Sequence, residues 1–204
     1  MGTRVSPVHP QSTIRIEAIS EEHFAATLGV MNQFIRNGAR KRLCCILPLG
    51  LFPTTMVEFR LMYSTPDAMS ATAIAIRESD GKMVGFVQMT DRTMTRDPVG
   101  GCLHSLSENE CYIEMMSVLP EARGGGVGTR LLQFCEARAR ERGARKLILG
   151  VVAGNPAKRL YERFGFEDID RSFVSALTSC VCLFSLFGLP HCVPGGSIME
   201  KHLN

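Results

Sequence analysis

Excess charge is scarce in this chain. Its 204 residues carry 23 Lys and Arg against 20 Asp and Glu, a formal balance of +3, and the densest basic cluster, Arg40-Lys41-Arg42, has the length of a solvated helix end. Nucleic acid is gripped through clustered Lys and Arg, so it is not the expected partner. C-x-x-C spacing is also missing. The cysteines (Cys44, Cys45, Cys102, Cys111, Cys135, Cys180, Cys182 and Cys192) show no paired framework, and several fall in predicted core elements. Reduced thiols in a cytoplasmic compartment are the simple reading. Cys180-x-Cys182 with His191-Cys192 can be drawn as a zinc site, but adjacent His and Cys ligands without C-x-x-C argue against it, and no metal is expected.

Residues 1–12 hold two prolines and little apolar content, which predicts a flexible tail without a secretory h-region. Met1-Gly2-Thr3-Arg4-Val5-Ser6 does match the loose N-myristoylation pattern, and one such chain anchors only weakly. Phe173–Leu189 is an apolar run without charge. That segment falls just short of the roughly 20 apolar residues of a membrane span and is interrupted by Ser and Thr. It is expected to be an atypical insertion, at about 173–196, buried in the fold or covered in a homodimer, with a membrane contact as the lesser alternative.

What is present is enough apolar content, 45%, for one sizeable core, so residues 13–204 are read as a single domain. Ile14–Ile19 alternates as a strand. Ser20 then caps a helix with Phe24, Leu28, Met31 and Ile35 on one face, ending near Asn37-Gly38. Residues 43–53, broken by Pro48, Gly50 and Pro53, should form a buried or pocket-lining connection, followed by a short helix from about Thr54 to Tyr63. Ser70–Glu78 and Lys82–Thr90 read as a hairpin around Asp80-Gly81.

The organising stretch runs from Cys111 to Phe166. Residues 111–118 are an apolar-rich strand stopped by Leu119-Pro120. Arg123-Gly124-Gly125-Gly126-Val127-Gly128-Thr129 follows, and Val127, Leu131, Leu132, Cys135 and Ala139 recur at helical spacing up to a natural C′ glycine, Gly143. Glycines let successive N–H groups converge on one point, the helix start adds unsatisfied donors and a positive dipole end, and Arg123 adds a full charge. Such a loop captures phosphate. It is no P-loop, because Gly124 and Gly128 enclose three residues and no Lys follows. It is no dinucleotide fingerprint either, since Thr129 or Leu131 stands where the third glycine belongs. Lys146–Val152 is a second strand, parallel to the first if a helical crossover joins them. Asn155 can N-cap a further helix with Pro156 at N1 and with Ala157, Leu160, Tyr161 and Phe164 on one face, closed by Gly165 and Phe166.

Arg123, Gly126 and Gly128 fit Arg-x-x-Gly-x-Gly, which resembles the pyrophosphate loop of the GNAT superfamily of acetyl-CoA-dependent N-acetyltransferases, written Q/R-x-x-G-x-G/A. The segment from Asn155 to Phe166 is similar to the second signature of that superfamily, N-x-x-A-x-x-L-Y-x-x-x-G-F, with Ala157 one residue early. The resemblance covers about Ile14 to Phe166, and Ser197–Leu203 looks like the closing strand. It implies an α/β fold whose mixed, mostly antiparallel sheet has one parallel strand pair around the glycine loop and helices on its flanks.

The same resemblance implies transfer of an acetyl group from acetyl-CoA (coenzyme A) to a primary amine by direct attack in a ternary complex. Pantetheine is expected along the strand ending at Val118, splayed from the strand ending at Val152. The pyrophosphate is expected at the N–H groups of Gly124, Gly125, Gly126, Val127, Gly128 and Thr129, beside Arg123. Asn155 matches a cofactor contact as well as a helix cap. Tyr161 matches the proton donor to the leaving thiolate, with a buried core aromatic as the alternative. Period-two alternation puts Glu114 on one sheet face with Tyr112, Met116 and Val118, where a carboxylate can take the ammonium proton; Glu110 and Glu108 are the reserves. The acceptor is a small-molecule amine, a peptide α-amine or a lysine side chain. A catalytically silent acyl-CoA-binding sensor or partner subunit is the competing reading, and an intact Tyr161 favours the enzyme.

Overall fold

The alternating and β-rich segments assemble into one seven-stranded sheet of order β1-β2-β3-β4-β5-β7-β6, in a computed structural model that describes residues 13–40, 55–94, 96, 104–152, 154–169 and 196–203. β1 (Ile14–Ala18), β2 (Thr72–Arg77), β3 (Lys82–Thr90) and β4 (Glu110–Val118) pair antiparallel in turn. β5 (Lys146–Val152) lies parallel to β4, and β7 (Gly196–His202) is inserted antiparallel between β5 and the short β6 (Glu167–Asp168). The helices are α1 (Phe24–Arg40), α2 (Met56–Tyr63), α3 (Pro66–Ser70), α4 (Val127–Glu141) and α5 (Lys158–Arg163). One parallel pair in an otherwise antiparallel sheet is the expected architecture.

Two apolar layers hold the sheet. On β2, Ala73 and Ala75 join the layer under α4, while Ile74 and Ile76 join the layer under α1 and α2, as the pleat dictates. The α4 stripe is the one read from sequence: Val127, Leu131, Leu132, Cys135 and Ala139 are all buried. On the other side Phe59 stacks on Tyr63 with ring centroids 4.1 Å apart and meets Phe24 edge-on at 5.3 Å.

Several boundaries move. α1 continues to Arg40 through Gly38, because a glycine inside a helix costs only about 1 kcal/mol and does not by itself end one. Ser70 belongs to α3 rather than to the hairpin; Thr65 caps this unforeseen helix by accepting from the Ala68 N–H at 3.2 Å, with Pro66 at N1. Thr55 and Glu58 form a capping box at the start of α2, the Thr55 N–H donating to Glu58 Oε2 at 2.8 Å.

The change that matters for function lies in β4. Gln88 pairs with Met115, but its neighbour Met89 pairs with Ile113, so Glu114 is an extra residue in a β-bulge. The alternation shifts by one there. Cys111 and Ile113, then Met116 and Val118, face the α4 layer, whereas Tyr112 and Met115 face away from it. The expected face shared by Glu114, Tyr112, Met116 and Val118 is therefore wrong, since a single period cannot run through a bulge. The tail at 1–12, the connection at 43–53, the insertion as far as residue 195 and all cysteines except Cys111 and Cys135 lie outside the described residues; those two are free thiols.

Candidate active site

The glycine loop takes its shape from what stops β4. The Leu119 N–H donates to the Val84 carbonyl at 2.8 Å, and Pro120–Ala122 make a 3-10 turn that delivers Arg123 in extended geometry. Gly124 and Gly126 then adopt φ of +81° and +79°, left-handed values that side-chain-bearing residues rarely hold. α4 starts immediately after Gly126. The first hydrogen bond of the helix joins the Arg130 N–H to the Gly126 carbonyl at 3.1 Å, and none of the N–H groups of residues 124–129 donates to a described residue. Gly124, Gly125 and Gly126 are exposed and Gly128 and Thr129 half-buried, so free donors and a helix N-terminus lie together at the surface. Arg123 is less mobile than a free surface arginine: its Nε donates to the Val118 carbonyl at 3.1 Å, which holds the guanidinium beside the donors.

Gly128 serves a different purpose. A Cβ there would stand 2.7 Å from Leu160 Cδ2, so the missing side chain lets α5 pack against the first turn of α4. This contact brings Tyr161 next to the loop. Tyr161 is 8% exposed, sits in the α4 core layer and meets Phe166 edge-on at 6.1 Å. Burial, with a smaller effect of the Cys135 thiol, pushes its phenol up to about 12. Expected to N-cap the helix directly, Asn155 instead caps a turn that precedes it. Its Oδ1 accepts from the Ala157 N–H at 3.0 Å, and Lys158 donates to its carbonyl at 3.1 Å, so regular helix begins only at Lys158 and Pro156 is in the preceding turn.

Between loop and sheet, the parallel strands part. β4 and β5 pair only from Glu110↔Lys146 to Ile113↔Leu149. Beyond that, residues 115–118 stay with β3 and Gly150–Val152 stay with β7. The facing edges of β4 and β5 then diverge from the bulge towards the glycine loop, leaving a cleft between strand edges whose backbone is not paired across it.

Glu114 stands where the strands part. Its side chain is 2% exposed, and Oε1 accepts from Thr90 Oγ1 at 2.8 Å and from Arg96 Nε at 2.6 Å. Arg96 also donates through Nη1 to the His104 carbonyl at 2.5 Å and lies over the Tyr112 ring at 4.6 Å. Glu110 is at the opposite end of β4. Although burial opposes it, hydrogen bonds from the Ser107 N–H and His104 hold its carboxyl below the usual range. Glu108 is exposed and paired with Arg92 at 2.9 Å. The fold thus puts Glu114 and Val118 on the part of β4 that has left β5, with Arg123 bonded to the Val118 carbonyl ahead of the loop and Tyr161 next to Leu160, the residue that abuts Gly128; Glu110 and Glu108 lie at the other end of β4. Arg96 and Thr90 were not legible as site residues; nothing in the sequence around them forms a motif.

The chain is similar to known proteins in sequence and in fold. The family model described as the acetyltransferase (GNAT) family matches residues 48–166, and the chain belongs to that family. It is 33% identical over 105 residues to an uncharacterized N-acetyltransferase, YhfO, of Bacillus subtilis, a match covering 50% of this chain and 63% of that protein. The matches span less than two thirds of the length of the curated relatives. Among solved structures, a GCN5-related N-acetyltransferase from Kribbella flavida superposes with a TM-score of 0.65 at 20% identity, over 93% of this chain and 98% of that one. A chain of the NatC complex bound to Gag peptide and CoA gives 0.60 at 18% identity, over 94% and 99%.

Proposed function

We propose that this protein is an N-acetyltransferase that moves an acetyl group from acetyl-CoA to a primary amine by direct attack in a ternary complex. The observation that carries this reading is the row of free N–H donors at residues 124–129, set at the open end of the β4–β5 cleft. The donor set fits the group. Converging N–H groups and a helix N-terminus suit a pyrophosphate, Arg123 adds a charge-assisted contact, and the unpaired β4 edge offers backbone partners for pantetheine amides. Bound acetyl-CoA supplies the activated acetyl group.

The remaining work falls to the chain. The cleft walls hold the amine against the acetyl carbon, so most of the acceleration is positioning. The N–C bond forms as the C–S bond breaks, with one N–H proton ending on the sulfur; before that, the ammonium must lose another proton to become a neutral nucleophile. Glu114, the bulge residue at the mouth of the cleft, accepts it directly or through water. Tyr161 faces the departing sulfur with a phenol that burial keeps protonated. A thiol near pKa 8.5 is a stronger acid than this phenol. Tyr161 therefore acts as a hydrogen-bond donor and relay whose proton is replaced from the one the amine releases. Asn155 orders the turn that presents Tyr161 and is placed to contact the cofactor. No described helix is long and apolar enough to cross a membrane; we place the enzyme in the cytoplasm, acting on a small-molecule or peptide amine.

Acetyl-CoA or CoA should raise the melting temperature of the purified protein, and adenine nucleotides lacking pantetheine should raise it less. No shift at millimolar acetyl-CoA sinks the assignment. Arg123→Ala should weaken coenzyme binding by about ten- to a hundredfold, one charge-assisted contact of roughly 1.5–3 kcal/mol, and calorimetric titration measures it. Release of free thiol from acetyl-CoA across a panel of amines distinguishes an enzyme from a protein that only binds.

A further inference from the structure

Arg96 is anchored in three directions and unfinished in a fourth. Nε holds Glu114, Nη1 holds the His104 carbonyl, and the guanidinium face rests on Tyr112. Nη2 is buried and has no hydrogen-bond partner among the described residues, although the side chain as a whole keeps 13% exposure. A shielded donor without an acceptor is costly, more so on a charged group, and a site that tolerates one commonly has a ligand to complete it. The place is informative, because Glu114 is the residue at which β4 and β5 separate. The incomplete guanidinium is therefore at the acceptor end of the cleft.

We propose that Arg96 selects the acceptor, and that the acceptor is an amine that also carries a carboxylate, as a free amino acid does. This rests on the acetyltransferase reading above. Charge decides the class. Arg96 and Glu114 together are neutral, so a plain amine brings an uncompensated positive charge to a nearly buried pair, and a plain carboxylate a negative one. A zwitterion aligned against the pair, ammonium towards Glu114 and carboxylate towards Arg96 Nη2, keeps the site neutral and satisfies the orphaned donor. The anchoring of Nε and Nη1 fixes the fork before the ligand arrives, so little ordering is left to offset the gain.

The test compares matched acceptors with and without the carboxylate: lysine against cadaverine, and methionine against 3-(methylthio)propylamine. Initial rates are measured as thiol release from acetyl-CoA, and the same compounds are titrated into the CoA-loaded protein by thermal shift, which needs no turnover. The amino acid of at least one pair should be preferred by about tenfold or more in kcat/KM. In Arg96→Met that ratio should fall towards one. Arg96→Lys keeps the charge but cannot span three anchors and should also lose the preference; it serves if the Met variant does not fold. The CoA-induced shift should persist in whichever variant folds. Equal or better use of the decarboxylated partners, no use of any pair member while CoA still binds, or a preference that survives both substitutions overturns the proposal. Failure of the acetyltransferase reading looks different: no shift with CoA and no thiol release with any amine.

Discussion

Replacing Tyr161 by phenylalanine is expected to lower turnover by about ten- to a thousandfold while acetyl-CoA affinity stays similar. The substitution keeps the ring, its edge-on contact with Phe166 and its place in the α4 layer, and removes only the hydroxyl. A core aromatic predicts the reverse, with catalysis intact and any loss appearing as a lower Tm. Turnover and Tm measured on the same variant separate the two, and full activity at unchanged Tm removes Tyr161 from the mechanism. The pH dependence has a definite sign. Burial raises the phenol to about 12 in the folded protein, above an unfolded value near 10. Its contribution to stability is therefore fully present below pH 10 and is lost as pH rises through about 12. Tyr161→Phe should flatten that alkaline loss without altering stability near neutrality.

That the glycine loop and the Tyr161 helix are legible in the sequence, while the contact of Arg96 is not, has one physical origin. Gly124 and Gly126 need left-handed backbone, α4 needs a stripe at helical spacing, and Asn155 needs a neighbouring N–H to accept; each is a local demand that local sequence displays. Parallel pairing of β4 with β5 followed from the intervening helix. The bulge did not, because an extra residue in one strand is defined by its partner: Glu114 is the additional residue only relative to Gln88 and Met89, more than twenty positions away. One residue of slip was enough to turn Met116 and Val118 to the opposite face from Tyr112. The pairing of Arg96 with Glu114 is of the same kind, a contact 18 residues apart that charge alone does not announce. β6, two residues long, exists only because β7 offers it an edge. The proposed cofactor side of the site is thus local and legible, and the proposed acceptor side is assembled from distant pieces.

Gly126→Val should weaken acetyl-CoA binding by at least about a hundredfold, the equivalent of two charge-assisted hydrogen bonds at roughly 1.5–3 kcal/mol each. Steric contact is not the cause, since a Cβ at Gly126 would meet nothing within 4 Å. The cause is φ of +79°, which a β-branched residue holds only at a cost of about 1–3 kcal/mol. Valine relieves that strain by rotating the backbone, and the rotation turns the N–H groups at the start of α4 away from their common point. Asparagine tolerates left-handed backbone far better, so Gly126→Asn should keep much of the affinity that Val loses. Gly128→Val provides a third comparison: there the obstacle is Leu160 Cδ2 at 2.7 Å, the flexible end of a side chain, and displacing it disturbs the seat of Tyr161 more than the donor row. Calorimetric titration of CoA into each variant, with circular dichroism to confirm folding, ranks them. A folded Gly126→Val protein that binds CoA as tightly as the parent means that the loop geometry is not what holds the pyrophosphate.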